Sequence, residues 1–166
     1  MRKRKIKTLF VLLFMSAIIF AGCSFRRNEG NDNYYIEEGQ EKIYPNMKAS
    51  EIKTILDKKE SYSEKEGCAG AKCIKVYGYK DFEIWTYNDN DIEKVLKVIV
   101  KGNKVKTKSG LTIGDSKEKV KKLYGDDFLD DDGNMKYEKQ KLNITVKISD
   151  DKVIQIEYSS KRAEWG

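Results

Sequence analysis

The sequence predicts an α+β fold, made of two tandem helix-then-antiparallel-strand units that share one sheet with their helices on one face. Three observations predict it. Ile52, Ile55 and Leu56, and again Val120, Leu123 and Tyr124, have the i, i+3, i+4 spacing of a helix with one buried stripe. Each of these segments is followed by alternating apolar runs bounded by turn residues. The two series also match in order. The helices match at an offset of 68, and Tyr77-x4-Phe82-x-Ile84-x-Thr86 matches Tyr137-x4-Leu142-x-Ile144-x-Val146 at 60. Leu96-x-Val98-x-Val100 matches Ile154-x-Ile156-x-Tyr158 at 58. Recurrence of this kind marks an internal repeat. Units this small have poor cores alone, so the two are expected to pack together.

In chain order, residues 1–22 come first. Met1–Thr8 carries Arg2, Lys3, Arg4, Lys5 and Lys7, and Leu9–Phe20 is apolar apart from Ser16. A membrane span needs about 20 apolar residues. This run is shorter and polar residues follow at once, which is the layout of an export signal. Ala21-Gly22 directly before Cys23 resembles the lipobox of bacterial lipoproteins, with Phe20 where that pattern usually has Leu, Val or Ile. The resemblance implies cleavage before Cys23, a diacylglycerol thioether on Cys23, and a protein held on the extracytoplasmic side of the cell membrane. Two acyl chains anchor stably where one does not.

Residues 23–45 read as the lipidated cysteine and a polar tether, from Ser24 through Arg26-Arg27-Asn28-Glu29-Gly30-Asn31-Asp32-Asn33. A flexible tether of that length spans on the order of 25 Å. Tyr34–Ile36 has a second reading, docked on the domain.

Residues 46–107 form the first unit. After its helix come strands at Ile74–Tyr79, Phe82–Tyr87 and Val95–Val100, with a short one at Lys104–Thr107 beyond the turn Lys101-Gly102-Asn103. Asn88-Asp89-Asn90-Asp91 is a turn signal. Relative to the second unit, the first has eight extra residues between helix and first matched strand, and Cys68-Ala69-Gly70-Ala71-Lys72-Cys73 lies in them. With Cys23 taken by lipid, an even number of cysteines remains in an oxidising compartment. A Cys68–Cys73 disulfide is therefore predicted, contributing roughly 2 kcal/mol for so short a loop. The spacing is not the C-x-x-C of a redox pair, and a metal site would need two further ligands in a chain without histidine.

Residues 108–166 form the second unit and a C-terminal tail. Asp115 and Glu118 read as a D-x-x-E variant of the capping box, and Gly125 as the residue that ends the helix. Strands follow at Met135–Glu138, Leu142–Ile148 and Val153–Tyr158, with a turn at Ser149-Asp150-Asp151. Between helix and strands lies Asp126-Asp127-Phe128-Leu129-Asp130-Asp131-Asp132-Gly133-Asn134. Aligning Gly133 with the glycine of a calcium-binding EF-hand loop puts Phe128 at the first ligand and Lys139 at the bidentate glutamate. Neither can serve, so the segment reads as a solvated acidic turn.

The net charge of +6 suggests a nucleic-acid partner only until it is divided. Five of the 33 basic residues and none of the 27 acidic ones lie in residues 1–22, which leaves 28 against 27. No electrostatic footprint for nucleic acid remains. Without histidine there is no imidazole base and no Ser-His-Asp triad, and neither a phosphate-cradling glycine loop nor a nucleophile elbow is present. A non-catalytic protein without cofactor or metal is expected.

Alternation around Lys80-Asp81 sorts the first hairpin into two faces. One holds Tyr77, Tyr79, Phe82, Ile84 and Thr86, and its apolar character recurs in the second unit. The other holds Ile74, Val76, Glu83, Trp85 and Tyr87, where the second unit has the polar Asn143, Thr145 and Lys147. Trp85 and Tyr87 are thus expected to project from the sheet face away from the helices, unless the tether or the tail with Trp165 covers them. Trp and Tyr dominate binding hot spots.

Gly110-Leu111-Thr112-Ile113-Gly114-Asp115-Ser116, followed by Val120, Leu123 and Tyr124-Gly125, is similar to the helix start in β-lactamase inhibitory protein-like domains. The small lipoprotein of the outer-membrane β-barrel assembly machinery has a related pattern. Cys68, Tyr77, Tyr79, Phe82-Glu83-Ile84 and Thr86-Tyr87 also resemble uncharacterised lipoproteins of clostridia-like bacteria. The resemblance covers roughly Met47–Tyr158. It implies a curved antiparallel sheet with helices behind, whose concave side and loops grip a protein partner. No inhibitory loop matches residue by residue, so inhibition of a β-lactamase does not carry over. The expected function is a membrane-anchored protein-interaction module with Glu83, Trp85 and Tyr87 as contacts. The alternatives are a receptor for a small molecule or peptide in a sheet groove, and a structural envelope lipoprotein.

Overall fold

The computed structural model describes residues 34–66, 73–139 and 141–164. Cys23, Cys68 and the basic and apolar segments of residues 1–22 lie outside the described residues.

The fold is α+β and mostly strand. It begins with a small hairpin, β1 (Ile36–Glu38) and β2 (Glu41–Ile43), turned at Gly39 with φ 63°. A 3-10 turn at Ala49–Ile52 runs into a four-residue helix, α1 (Lys53–Leu56). Four strands follow: β3 (Ser61–Lys65), β4 (Ile74–Gly78), β5 (Phe82–Asp89) and β6 (Ile92–Val100). Next come β7 (Lys106–Thr107) and α2 (Lys117–Tyr124). Four more strands complete the large sheet: β8 (Leu129–Asp131), β9 (Asn134–Glu138), β10 (Leu142–Ser149) and β11 (Lys152–Ser160). A 3-10 turn at Lys161–Glu164 ends the described chain.

The eight strands lie in the order β3-β4-β5-β6-β11-β10-β9-β8, all neighbours antiparallel. Each half of the chain supplies four consecutive strands, and the last strand of each meets the other at the centre. β5–β6 and β10–β11 turn at Asn90-Asp91 and Asp150-Asp151, every one of these residues at positive φ. Such turns match the twist of the strands they join, and Asn and Asp tolerate the left-handed region.

One face of this sheet is the core. Tyr77, Phe82, Ile84, Val98 and Val100 from the first half pack with Met135, Tyr137, Leu142, Ile144, Ile156 and Tyr158 from the second. Ile52, Ile55 and Leu56 of the first helical segment and Val120 of α2 join the same cluster, so both helices cover one face.

Four expectations change. Residues 36–43, expected within a polar tether over residues 23–45, belong to the folded domain, because Ile36 and Ile43 are buried core residues and β1 pairs with both β2 and β7. Docking of Tyr34–Ile36 is the reading that holds. The edge strands β3 and β8 escaped notice, since Ser-Tyr-Ser-Glu-Lys and Leu-Asp-Asp are exposed throughout and carry no alternation. The cap of α2 is Ser116, whose hydroxyl accepts from Lys119 N–H, while Asp115 accepts from Thr112 N–H at 2.8 Å and pairs with Lys119. Leu123, expected in the buried stripe, is 38% exposed, because an eight-residue helix lays only Val120 and part of Tyr124 on the sheet.

Candidate interaction surfaces

Strand alternation places Glu83, Trp85 and Tyr87 on the face opposite the core, with Ile74 and Val76 of β4. A bulge then adds a residue: Trp85 lies opposite Lys97 and Thr86 opposite Val95, so Leu96 has no partner on β5. The bulge turns Leu96 to this second face, where it packs with Ile74, Val76 and Tyr87 under the partly buried Trp85. The result is a small apolar cluster on this face, bordered by charged side chains.

Trp85 is held from three sides. Its indole N–H donates to Glu83 at 2.9 Å. Lys65 Nζ lies 4.1 Å from the ring centroid and Lys97 Nζ 4.2 Å. Lys97 also reaches Glu157 on the neighbouring β11 at 3.4 Å, and Glu83 accepts from Lys101. Burial works to raise the Glu83 carboxyl, but the Lys101 and Trp85 donors outweigh it and hold it below the usual carboxylate range. Ammonium groups this close to a ring gain cation–π attraction, of order 0.5–2 kcal/mol each depending on exposure.

Tyr87 does not belong to the exposed surface. It is 4% exposed, with Arg162 5.5 Å from its ring centroid, and Arg162 is fixed by Asp89 at 2.6 Å. Of the two readings left open for Tyr87, exposed or covered by the chain's own segments, cover is the one that holds: Arg162 of the C-terminal turn lies over its ring. Glu83 and Trp85 are the predicted contacts that stay on the surface, joined by Lys65 and Lys97, which the sequence did not single out. Lys65 comes from the edge strand that alternation missed, and Lys97 read as one of many solvated lysines.

A second surface lies on the core side. The first helical segment is too short to cover the sheet to its edge, and a groove of about 880 Å³ opens between it, β3 and the β5–β6 turn. Leu56 and Tyr77 lie in its depth, and Tyr62 and Ile92 stand at its rim, 45% and 43% exposed. Beside it, Glu93 accepts from Lys75 at 2.7 Å, Tyr77 at 3.1 Å and Thr86 at 2.6 Å, tying three strands together. Burial alone would raise Glu93, yet the three donors keep it below the usual carboxylate range.

Cys73 carries a free thiol at the start of β4, near Glu64, and its proposed partner Cys68 lies outside the described residues. The acidic segment runs through β8 into its turn with β9, where Asp130 accepts from Gly133 N–H at 2.9 Å. Among the described residues no cluster of three metal-ligating side chains occurs, and no helix is long and apolar enough to cross a membrane.

No protein-family model, curated protein or solved structure matches the chain.

Proposed function

We propose that the chain is a lipid-anchored extracytoplasmic protein whose domain is a non-catalytic interaction module, presenting the open sheet face of its first half to a protein partner. The observation that carries this reading is the Lys65–Trp85–Lys97 cluster with Glu83, an aromatic anchor held by charged side chains on the face that none of the described helices covers. Tryptophan is among the residues in which binding energy concentrates at interfaces.

The rest of the reading fits around it. Cys23 bears the lipid. In the oxidising extracytoplasmic compartment, oxidation of the Cys73 thiol with Cys68 closes a disulfide within the β3–β4 connection, whose flanks Lys65 and Ile74 are paired. The two halves are tandem copies. In support, the row Tyr77–Ile84–Val98 across β4, β5 and β6 has a counterpart 60 residues on, Tyr137–Ile144–Tyr158 across β9, β10 and β11. The offset of 58 in the third strand pair follows the bulges, at Leu96 and Ile154, rather than the pairing. Coverage of Tyr87 by the C-terminal turn favours the structural-lipoprotein alternative to that extent, but it leaves Trp85 uncapped by that turn.

The test is crosslinking capture from cell envelopes with the full chain in detergent, beside Trp85→Ala and Lys147→Ala. Capture of one protein, lost with Trp85→Ala and kept with Lys147→Ala, is expected. Equal capture by all three, or none, contradicts the open-face reading. Mass spectrometry of the protein extracted from membranes is expected to find Cys23 as the N-terminal residue carrying diacylglycerol, and an unmodified Cys23 contradicts the anchor.

A further inference from the structure

A cavity of about 450 Å³ lies where the small sheet meets the large one, within the size range of small-molecule sites. Residues of the β1–β2 turn and of the segment before β7 line it, together with α1 and the β4–β5 turn. Its floor is apolar. Ile55, Phe82 and Val105 are buried there, and the Tyr79 ring stacks on Phe82 with centroids 4.3 Å apart and planes at 10°. The Tyr79 hydroxyl donates to the Ile55 carbonyl at 2.9 Å, so helix and turn hold the ring in place.

The rim is charged, and the fold does not use those charges. Glu38 and Glu41 are register partners across the β1–β2 hairpin, both exposed and both at the cavity. Like charges directly opposite one another on a strand pair are destabilising. Neither carboxylate has an ion pair among the described residues. Glu38 also reaches the floor: burial first, and Tyr77, Glu38 and Asp57 after it, push the Tyr79 phenol above its ordinary value. Lys58, after α1, and Lys80, in the β4–β5 turn, are exposed at the same rim and have no ion pair among the described residues. Asp81 does not neutralise Lys80, because its carboxylate lies against Gly102, where a Cβ would stand 1.7 Å from Oδ1. Glu60 and Lys104 add one charge of each sign. Both signs are thus left free around one cavity, which suits a ligand that carries both, and the floor calls for an apolar body between them.

We propose that this cavity binds a zwitterion with an apolar side chain, a free amino acid or a short peptide. The ammonium group of the ligand sits between Glu38 and Glu41, its carboxylate meets Lys58 and Lys80, and its side chain lies on the Tyr79–Phe82 stack. The site is on the core side of the sheet, away from the Trp85 face, and either can fail without the other.

The test is calorimetric titration of the full chain in detergent with free leucine, phenylalanine and tyrosine, and with dipeptides of the three. Saturable binding of at least one probe is expected, and the tighter set tells amino acid from peptide. N-acetylation of that ligand and amidation of its carboxyl group should each weaken binding about tenfold or more, a loss of about 1.4 kcal/mol. Glu38→Gln with Glu41→Gln should weaken it likewise. The same double variant should leave the ligand-free melting temperature unchanged or higher, since a like-charge contact is removed. Lys58→Gln with Lys80→Gln should weaken binding of the acid and spare that of its amide, and Trp85→Ala should leave both unchanged. No binding of any probe, equal binding of the blocked forms, indifference to both double variants, or loss with Trp85→Ala would each overturn the proposal.

Discussion

The two halves of the sheet share a core face and differ on the other. At matching positions of the register the first half has Glu83, Trp85 and Tyr87, and the second has Asn143, Thr145 and Lys147. Glu83 is satisfied by Lys101 and the Trp85 indole. Asn143, between Glu138 and Ser159, is 1% exposed and has no hydrogen-bond partner for either amide atom among the described residues. The helices differ in the same direction, since α2 brings Tyr124 onto Tyr137 while the shorter first helix leaves a groove over Tyr77. One half is closed on its core side and plain outside, and the other is open inside and aromatic outside. The lesson is that the core residues define the scaffold, and the departures from it mark the surfaces free to take on a function.

The largest expected effect tests the shared core. Ile84 and Ile144 are both fully buried in one cluster. Truncating either to Ala should cost about 2–5 kcal/mol, read by urea unfolding. A single transition in both variants is expected, and two separated transitions would break the claim that the halves fold as one. Next, Glu93 staples only the first half. Its folded-state pKa is depressed, so its stabilisation is present above the unfolded carboxylate pKa and is lost as pH falls through the folded value. Glu93→Gln should lower stability at neutral pH by roughly 1.5–3 kcal/mol, as expected for a hydrogen bond to a charged group. It should also flatten the acid side of the stability curve. An unchanged acid limb would show that other carboxylates control it.

Smaller effects sharpen the contrast further. Tyr124 links Tyr158 at 3.1 Å to Ser109 at 2.7 Å, a hydroxyl chain that fastens the segment before α2. Tyr124→Phe should cost about 1 kcal/mol, and no loss would make the chain incidental. Asn143→Val removes two unsatisfied polar atoms from a strand with β-branched neighbours and should be neutral or stabilising by up to about 1 kcal/mol. A marked loss would mean that the amide is satisfied by a partner beyond the described residues.

Much of the fold was legible because the core alternates. Ile84, Val98, Ile144 and Ile156 announce their strands, and the Asn-Asp and Asp-Asp pairs announce the turns. β3 and β8 were not legible, because an edge strand exposed on both faces needs no apolar period. The β1–β2 hairpin hid in a polar stretch, where Ile36 and Ile43 alone mark the buried side. At the candidate site, alternation put Trp85 on the right face. It could not reveal that Arg162, distant in sequence, lies over Tyr87, nor that Lys65 and Lys97 flank Trp85.

The central claim is that the aromatic outer face of the first half, and not the matching face of the second, meets a partner. The direct measurement places a photoreactive residue at position 85 or at position 145 of the full chain in intact cells. The account predicts a discrete crosslinked species from position 85 and none from position 145. A species from position 145 alone, or from neither, would contradict it.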